Sequence, residues 1–278
     1  RDFHLGQVEP TAMGLKEQFS ILNQCPRELW LTYLMKFFES FAYFSMSYCL
    51  TVFLSRDFGY TDREAGWTYG LLNALTALYG LPAGFLIIDN LGVKWSLVCG
   101  ATLLLSARLL MAFTTSPSVL FVVVYLMIPA GQAFGIPVMT IGIKRYTTIH
   151  QRGLAFSWFY VVMNCAALFA APGVDLVRYA VGDGCRPLTL FNLPCFSAYR
   201  VLMFAGALAT ALNIIIAFFF IREIDASGGT TKEFEVQTTN PWEIFKSVAT
   251  SGRFWRFVTL IFLLVGVRLI YRHMDATF

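Results

Sequence analysis

Residues 36–43 have the sequence KFFESFAY and lie inside the first long apolar run of the chain. If this run is a helix, with about 100° between successive residues, Lys36, Glu39, Tyr43 and Ser47 share one narrow stripe. A charge in hydrocarbon costs at least about 2.5 kcal/mol, so Lys36 and Glu39 should face a bundle interior or a water-filled cavity. Two interpretations stay open: a charge cluster that lines a transport path, and a buried ion pair that only fixes helix packing.

The composition indicates the environment in which the chain folds. Of its 278 residues, 57% are hydrophobic and 14% are charged, whereas soluble domains carry about 25% charged residues. We therefore predict an all-α integral membrane protein whose main partner is the lipid bilayer. A net charge of only +4 gives no reason to expect a nucleic-acid partner. The chain begins without a methionine and ends inside an apolar run, so we expect it to be part of a longer protein.

Seven apolar runs are long enough, or nearly so, for membrane-spanning helices. They cover approximately residues 28–55, 65–88, 93–114, 117–142, 154–177, 198–221 and 255–275. This pattern predicts four regions: an inside N-terminal segment at 1–26, a six-helix transmembrane bundle at 27–223, an inside linker with a short amphipathic helix at 224–252, and a seventh transmembrane helix at 253–278.

The distribution of lysine and arginine predicts the orientation in the membrane. With a cytoplasmic N-terminus, twelve basic residues fall in inside segments and five, including Arg200, fall in outside segments. This orientation places the loop between the fifth and sixth helices outside. Cys185 and Cys195 flank that loop and could form a disulfide in an oxidising compartment.

Four basic residues fall within the predicted spans: Lys36, Arg108, Arg268 and Arg272. Arg108 should face a cavity or extend toward the outer surface, and the two alternatives are equally supported. Arg268, Arg272 and Asp275 share one face of the seventh helix. The first and seventh helices thus carry similar charged stripes, as a repeat of six helices would produce.

The loop after the second helix resembles the signature of the major facilitator superfamily. Asp89, Gly92 and Lys94 match its Asp, its later Gly and its final Lys, whereas Asn90 and Val93 stand where the family has arginines. The resemblance implies a fold of two six-helix bundles, of which this chain would contain the first bundle and the opening helix of the second. It also implies an inner gate at this loop, weakened by the lost arginines. A simple tight turn is the alternative.

Two further stretches resemble proton-coupled oligopeptide transporters, of which the chain looks like a divergent relative. Glu39, Phe41 and Tyr43 match a first-helix motif, and residues 156–164 match a fifth-helix motif that contains Tyr160 and Asn164. The resemblance implies a substrate and proton path along these helices. That path would comprise Lys36, Glu39, Tyr43, Tyr160, Asn164, Arg268, Arg272 and Asp275. The family's fourth-helix lysine is Ile136 here, so proton coupling is left open.

Catalytic chemistry has no support, because the sequence lacks a phosphate-binding loop and the Cys/His spacing of a metal site. We predict neither enzyme activity nor a cofactor. The leading hypothesis is a secondary transporter that moves a small polar or anionic organic solute, such as a peptide or amino acid, by alternating access. The alternative is a transporter-fold protein that does not transport and serves as a subunit or receptor in a larger assembly. A seven-helix receptor is disfavoured by the predicted cytoplasmic N-terminus.

Overall fold

A computed structural model describes most of the helical part of the chain. The described residues are 14–86, 88–182, 186–188, 193–224 and 250–252, together with Trp255, Arg256, Thr259, Leu260 and Leu263; of these, the side chains at 15, 81–90, 186–188 and 193–195 are not described. The chain divides into two compact units, Arg1–Gly228 and Gly229–Phe278. In the second unit, Gly252 and the five single residues are helical. The predicted boundaries of the four regions stay predictions.

The first unit is a helical bundle with one small hairpin. Its helices are α1 (Leu15–Leu22), α2 (Arg27–Phe58), α3 (Asp62–Leu86), α4 (Ile88–Phe113), α5 (Pro117–Val122), α6 (Ile128–Tyr146), α7 (Ile149–Val181) and α8 (Ala198–Phe219), with a π-helical turn, Val123–Met127, joining α5 to α6. Strands β1 (Arg186–Leu188) and β2 (Leu193–Phe196) pair antiparallel. The all-α prediction is thus confirmed apart from this hairpin, which lies in the predicted outside loop.

Local sequence signals set the helix ends. Gly59 ends α2 in the left-handed conformation, with φ 70°, which glycine adopts at little cost. Thr61 and Glu64 then form a capping box that starts α3, in which Glu64 Oε2 accepts from the Thr61 backbone N–H at 2.9 Å and Thr61 Oγ1 accepts from the Glu64 backbone N–H at 3.3 Å. Thr148 and Gln151 form the equivalent box at the start of α7.

Five helical stretches of the described residues are long and apolar enough to cross a membrane. They are Arg27–Phe58, Leu91–Phe113, Pro117–Tyr146, Ile149–Val181 and Ala198–Phe219. Helix α3 packs against α6 in the same bundle. The six helical stretches at 27–58, 62–86, 88–113, 117–146, 149–181 and 198–219 correspond to the first six predicted runs.

Two apolar clusters occupy opposite ends of the bundle core. One includes Leu29 and Tyr33 near the start of α2, and the other includes Leu50 and Phe53 near its end. The segment 36–45 lies between them and carries four buried polar side chains, those of Lys36, Glu39, Ser40 and Ser45. The charged stripe is therefore held at mid-height by an apolar cluster on either side.

Arg200, at the first turn of α8, ties three helix ends together. Its Nε donates to Asp57 Oδ2 at 2.7 Å, and its Nη1 donates to the carbonyl oxygens of Ala112 at 3.1 Å and Thr114 at 2.7 Å. Only 3% of the residue is exposed. Arg200, counted above with the outside segments, is a buried helical residue that joins the ends of α2 and α4 to the start of α8.

Helices α4 and α6 approach closely at two glycines. A Cβ on Gly100 would lie 2.6 Å from Phe134 Cβ and 3.2 Å from the Gly131 carbonyl oxygen. Small residues at such a crossing let two backbones pack against each other in a membrane. The close approach of α4 and α6 thus lies at Gly100 and Gly131.

We expect Gly100→Ala to lower the free energy of unfolding by about 1–3 kcal/mol, because the added methyl group overpacks the α4–α6 crossing. Thermal and denaturant unfolding in detergent would measure the loss. Gly135→Ala is the control, since a Cβ there meets no atom within 4 Å and alanine favours a helix over glycine. Equal stability of the two variants would contradict the close approach.

Candidate functional site

A cavity of about 290 Å³ lies beside the charged stripe of α2. It is bounded by side chains from α2, α3, α6 and α7. The lining residues are Lys36, Glu39, Ser40, Tyr43, Phe44, Asn73, Thr76, Ala77, Gln132, Ile136 and Met163. Lys36, Glu39 and Tyr43, predicted to lie on one stripe, therefore share one cavity. The lining combines two charged groups, Lys36 and Glu39, with several hydrogen-bonding side chains, as small-molecule sites commonly do.

Glu39 forms a buried ion pair with Arg108 of α4. Arg108 Nη2 lies 3.1 Å from Glu39 Oε1, and Nη1 lies 3.4 Å from Oε2. Nη1 also donates to Thr210 Oγ1 of α8. Arg108 is 1% exposed and Glu39 is 7% exposed. Both expectations for Arg108, a cavity-facing position and an extension toward the surface, are wrong, because the guanidinium is enclosed between three helices, α2, α4 and α8.

Lys36 has a different environment from Glu39. It is 4% exposed, and within the described residues no carboxylate lies in ion-pair distance of its ammonium group. Its Nζ instead lies 4.9 Å from the centroid of the Phe159 ring on α7, a distance at which a cation is attracted to an aromatic face. The buried ion pair considered above thus forms with Arg108 in place of Lys36. Lys36, Glu39 and Arg108 together carry one uncompensated positive charge.

Hydrogen bonds connect the polar side of α2 to α3. Ser47 Oγ and Tyr69 Oη are 2.6 Å apart, and Tyr43 Oη donates to Asn73 Oδ1 at 3.4 Å. Asn73 Nδ2 donates in turn to the Tyr69 carbonyl oxygen at 2.8 Å. These bonds orient the Tyr43 ring at the cavity, so this wall is held in place without a ligand.

Two further residues of the predicted path, Tyr160 and Asn164, are not among the described lining of this cavity. Tyr160 is 57% exposed, and Asn164 is exposed on the same helix, where its Nδ2 donates to the Tyr160 carbonyl oxygen at 2.8 Å. Their role in substrate contact stays a prediction. Arg268, Arg272 and Asp275 lie outside the described residues.

The predicted disulfide and the search for a metal site both concern His, Cys, Asp and Glu side chains outside the cavity. Cys185 lies outside the described residues, and Cys195 lies in β2 without a described side chain. The disulfide between them stays a prediction. Within the part of the chain that the structure describes, no group of three His, Cys, Asp or Glu side chains is arranged to hold a metal ion.

The predicted inner-gate loop makes a contact that sequence reasoning missed. Gly92 interrupts α4 with φ 72° and ψ 176°. The Lys94 backbone N–H beyond it donates to Glu223 Oε1 at 2.7 Å, and Arg145 Nη1 donates to Glu223 Oε2 at 3.3 Å. The positive φ favours glycine at this position, and the missing side chain also leaves room for the Glu223 carboxylate, since a Cβ on Gly92 would lie 2.7 Å from Glu223 Oε1. The side chain of Asp89 is not among those described.

Comparisons with known proteins relate this geometry to one family. A family model described as Major Facilitator Superfamily matches residues 32–274. Dipeptide and tripeptide permease B of Salmonella typhimurium is 27% identical over 168 residues, which are 58% of this chain and 34% of the permease.

Solved structures of peptide transporters share the fold. One, from work on substrate recognition in proton dependent oligopeptide transporters, has a TM-score of 0.61 and 17% identity, covering 89% of this chain and 54% of the other. A second, a mutant peptide transporter in complex with alafosfalin, has a TM-score of 0.58 and 17% identity, covering 88% and 51%. The chain therefore spans about a third to a half of the length of these relatives.

We expect Arg108→Met to lower the free energy of unfolding by about 3–5 kcal/mol, because it leaves Glu39 buried without a counter-ion. The double variant Glu39→Gln/Arg108→Met should recover most of this loss, since it removes both charges. Unfolding in detergent would measure all three proteins.

Arg178→Ala is the control for this comparison. Its ion pair with Asp175 is long, at 3.9 Å, and both side chains are largely exposed. Such surface pairs contribute about 0–1 kcal/mol. If Arg108→Met and the double variant were equally destabilised, the unpaired charge of Glu39 would not be the cause of the loss.

Proposed function

Since the chain belongs to the Major Facilitator Superfamily, we propose that it is part of a secondary active transporter that moves a small polar or anionic organic solute by alternating access. Members of this family are membrane transporters rather than enzymes, and the chain is a multi-pass membrane protein. The similarity to a dipeptide and tripeptide permease supports a peptide or an amino acid as the solute.

One observation carries this proposal: Lys36 is buried at the cavity without a carboxylate partner in the described residues. A buried cation is costly unless it is paired. A solute that presents a carboxylate would supply the missing partner, and the neutral Tyr43, Asn73 and Thr76 would contact its polar backbone. The charges of Glu39 and Arg108 cancel each other, so the attraction for an anionic group comes from Lys36.

Glu39 can take part in proton coupling only under one condition, which its ion pair with Arg108 imposes. Protonation of Glu39 in this conformation would leave Arg108 buried without a counter-ion, which is unfavourable. Coupling through Glu39 therefore requires a second conformation in which the pair separates. A uniporter would show no such requirement, and uptake driven by a pH gradient distinguishes the two.

The orientation and the gate belong to the same proposal. The excess of lysine and arginine in the segments assigned to the inside supports a cytoplasmic N-terminus. Asp89, Gly92 and Lys94 would form the inner gate, with Glu223 holding the Lys94 end of the loop. Protein partners would be needed only for the alternative, a subunit that does not transport.

We expect Lys36→Ala combined with Glu39→Gln to reduce dialanine uptake into proteoliposomes at least about tenfold, since a charge-assisted hydrogen bond contributes roughly 1.5–3 kcal/mol. Lys144→Ala removes an exposed lysine of α6 and should leave uptake unchanged. Unchanged uptake in the double variant would remove both residues from the proposed path. No uptake by the native protein, at any pH gradient, would favour the non-transporting subunit.

A further inference from the structure

Gln132 of α6 is a cavity residue with an unused hydrogen-bond donor. Six buried side-chain atoms of the described residues have no hydrogen-bond partner, and the one that belongs to the cavity lining is Gln132 Nε2. The residue is 6% exposed. Leaving a buried donor unpaired destabilises a folded protein, so a solute atom that accepts from this amide would remove that cost.

The position of the amide is fixed by its neighbours. Gln132 Oε1 lies 3.4 Å from Thr76 Oγ1 on α3, and the adjacent Gly131 packs directly against α4, where a Cβ would lie 2.6 Å from Leu104 Cγ. The backbone at this point of α6 therefore has no room to move toward α4. Gln132 is held at the cavity wall with its nitrogen unpaired.

We propose that Gln132 determines solute specificity by donating a hydrogen bond from Nε2 to the carboxylate of the solute, beside the ammonium group of Lys36. This inference rests on the proposed function and adds a residue to it. The two donors come from different helices, α2 and α6, and a carboxylate has two oxygens that can accept from both. An uncharged carboxamide presents only one oxygen and adds its own N–H donors, which these groups cannot accept.

If Gln132 binds the solute, its replacement should weaken binding without lowering stability, whereas a structural role predicts a loss of stability. Gln132→Met keeps the length of the side chain and removes the unpaired donor, so the solute-free protein should unfold at the same or a higher temperature. The same variant should bind dialanine about tenfold more weakly. Dialanine amide, which lacks the carboxylate, should bind weakly to the native protein and to Gln132→Met alike.

Asn213→Leu is the matched control. Asn213 is 2% exposed and its Oδ1 has no partner, but it lies on α8 and is not part of the cavity lining. It should change the unfolding temperature without changing the affinity for dialanine, as measured by calorimetry on the purified protein in detergent.

The outcomes of these measurements distinguish the role of Gln132 from the transport proposal. A lower unfolding temperature for Gln132→Met with unchanged dialanine affinity would show that the amide is structural and overturn the inference. Equal affinity of the native protein for dialanine and dialanine amide would overturn the carboxylate assignment. Dialanine binding that depends on Gln132, without any uptake, would support the inference and refute the transport proposal. The absence of dialanine binding to the native protein would refute both.

Discussion

The pairing of Glu39 with Arg108 is the contact on which the arrangement of the bundle depends. Both groups are enclosed, and within the described residues Arg108 has no other carboxylate partner. Displacement of α2 by a single turn, about 5.4 Å, would leave two buried charges unpaired at a cost of several kcal/mol. Because Thr210 of α8 binds the same guanidinium, the pair fixes the relative height of three helices.

This constraint also determines the electrostatic character of the cavity. Glu39 faces the cavity from one side, but its charge is balanced by Arg108 from the other. Among the described residues of the lining, the positive charge of Lys36 thus remains available to a solute. Together with the amide donor of Gln132 and a wall of hydroxyl and amide groups, it makes the described part of the cavity suited to a small zwitterionic or anionic molecule.

The sequence predicted the helices well because membrane helices carry strong local signals. The long apolar runs alone predicted the six helical stretches. Gly59 and the capping residues Thr61 and Thr148 then stand at helix ends, where local signals of this kind are expected. The stripe of Lys36, Glu39 and Tyr43 was likewise predictable from helical periodicity alone, and the three residues do line one cavity.

The partners of those residues were not predictable in the same way. Glu39 and Arg108 are 69 residues apart. Their contact depends on how α2 and α4 align along the bundle axis, and local sequence patterns do not determine this alignment. Lys36, three positions from Glu39, looked like the natural partner for that reason. The partners of Arg200, Asp57 and the Ala112 carbonyl oxygen, are also far from it in the sequence, so its burial was not predicted. Glu223 follows α8 and showed no pattern of its own.

The two contacts at the helix ends, Arg200 with α2 and α4 and Glu223 with α4 and α6, have a mechanical consequence. Each joins backbone or charged groups of separate helices at one extremity of the bundle, while Arg108 joins three of them in the middle. None of α2, α4, α6 and α8 can bend outward by itself without breaking a bond at one of these levels. These four helices should therefore move together as one rigid group, and the cavity wall that α2 and α6 form should keep its shape when they do.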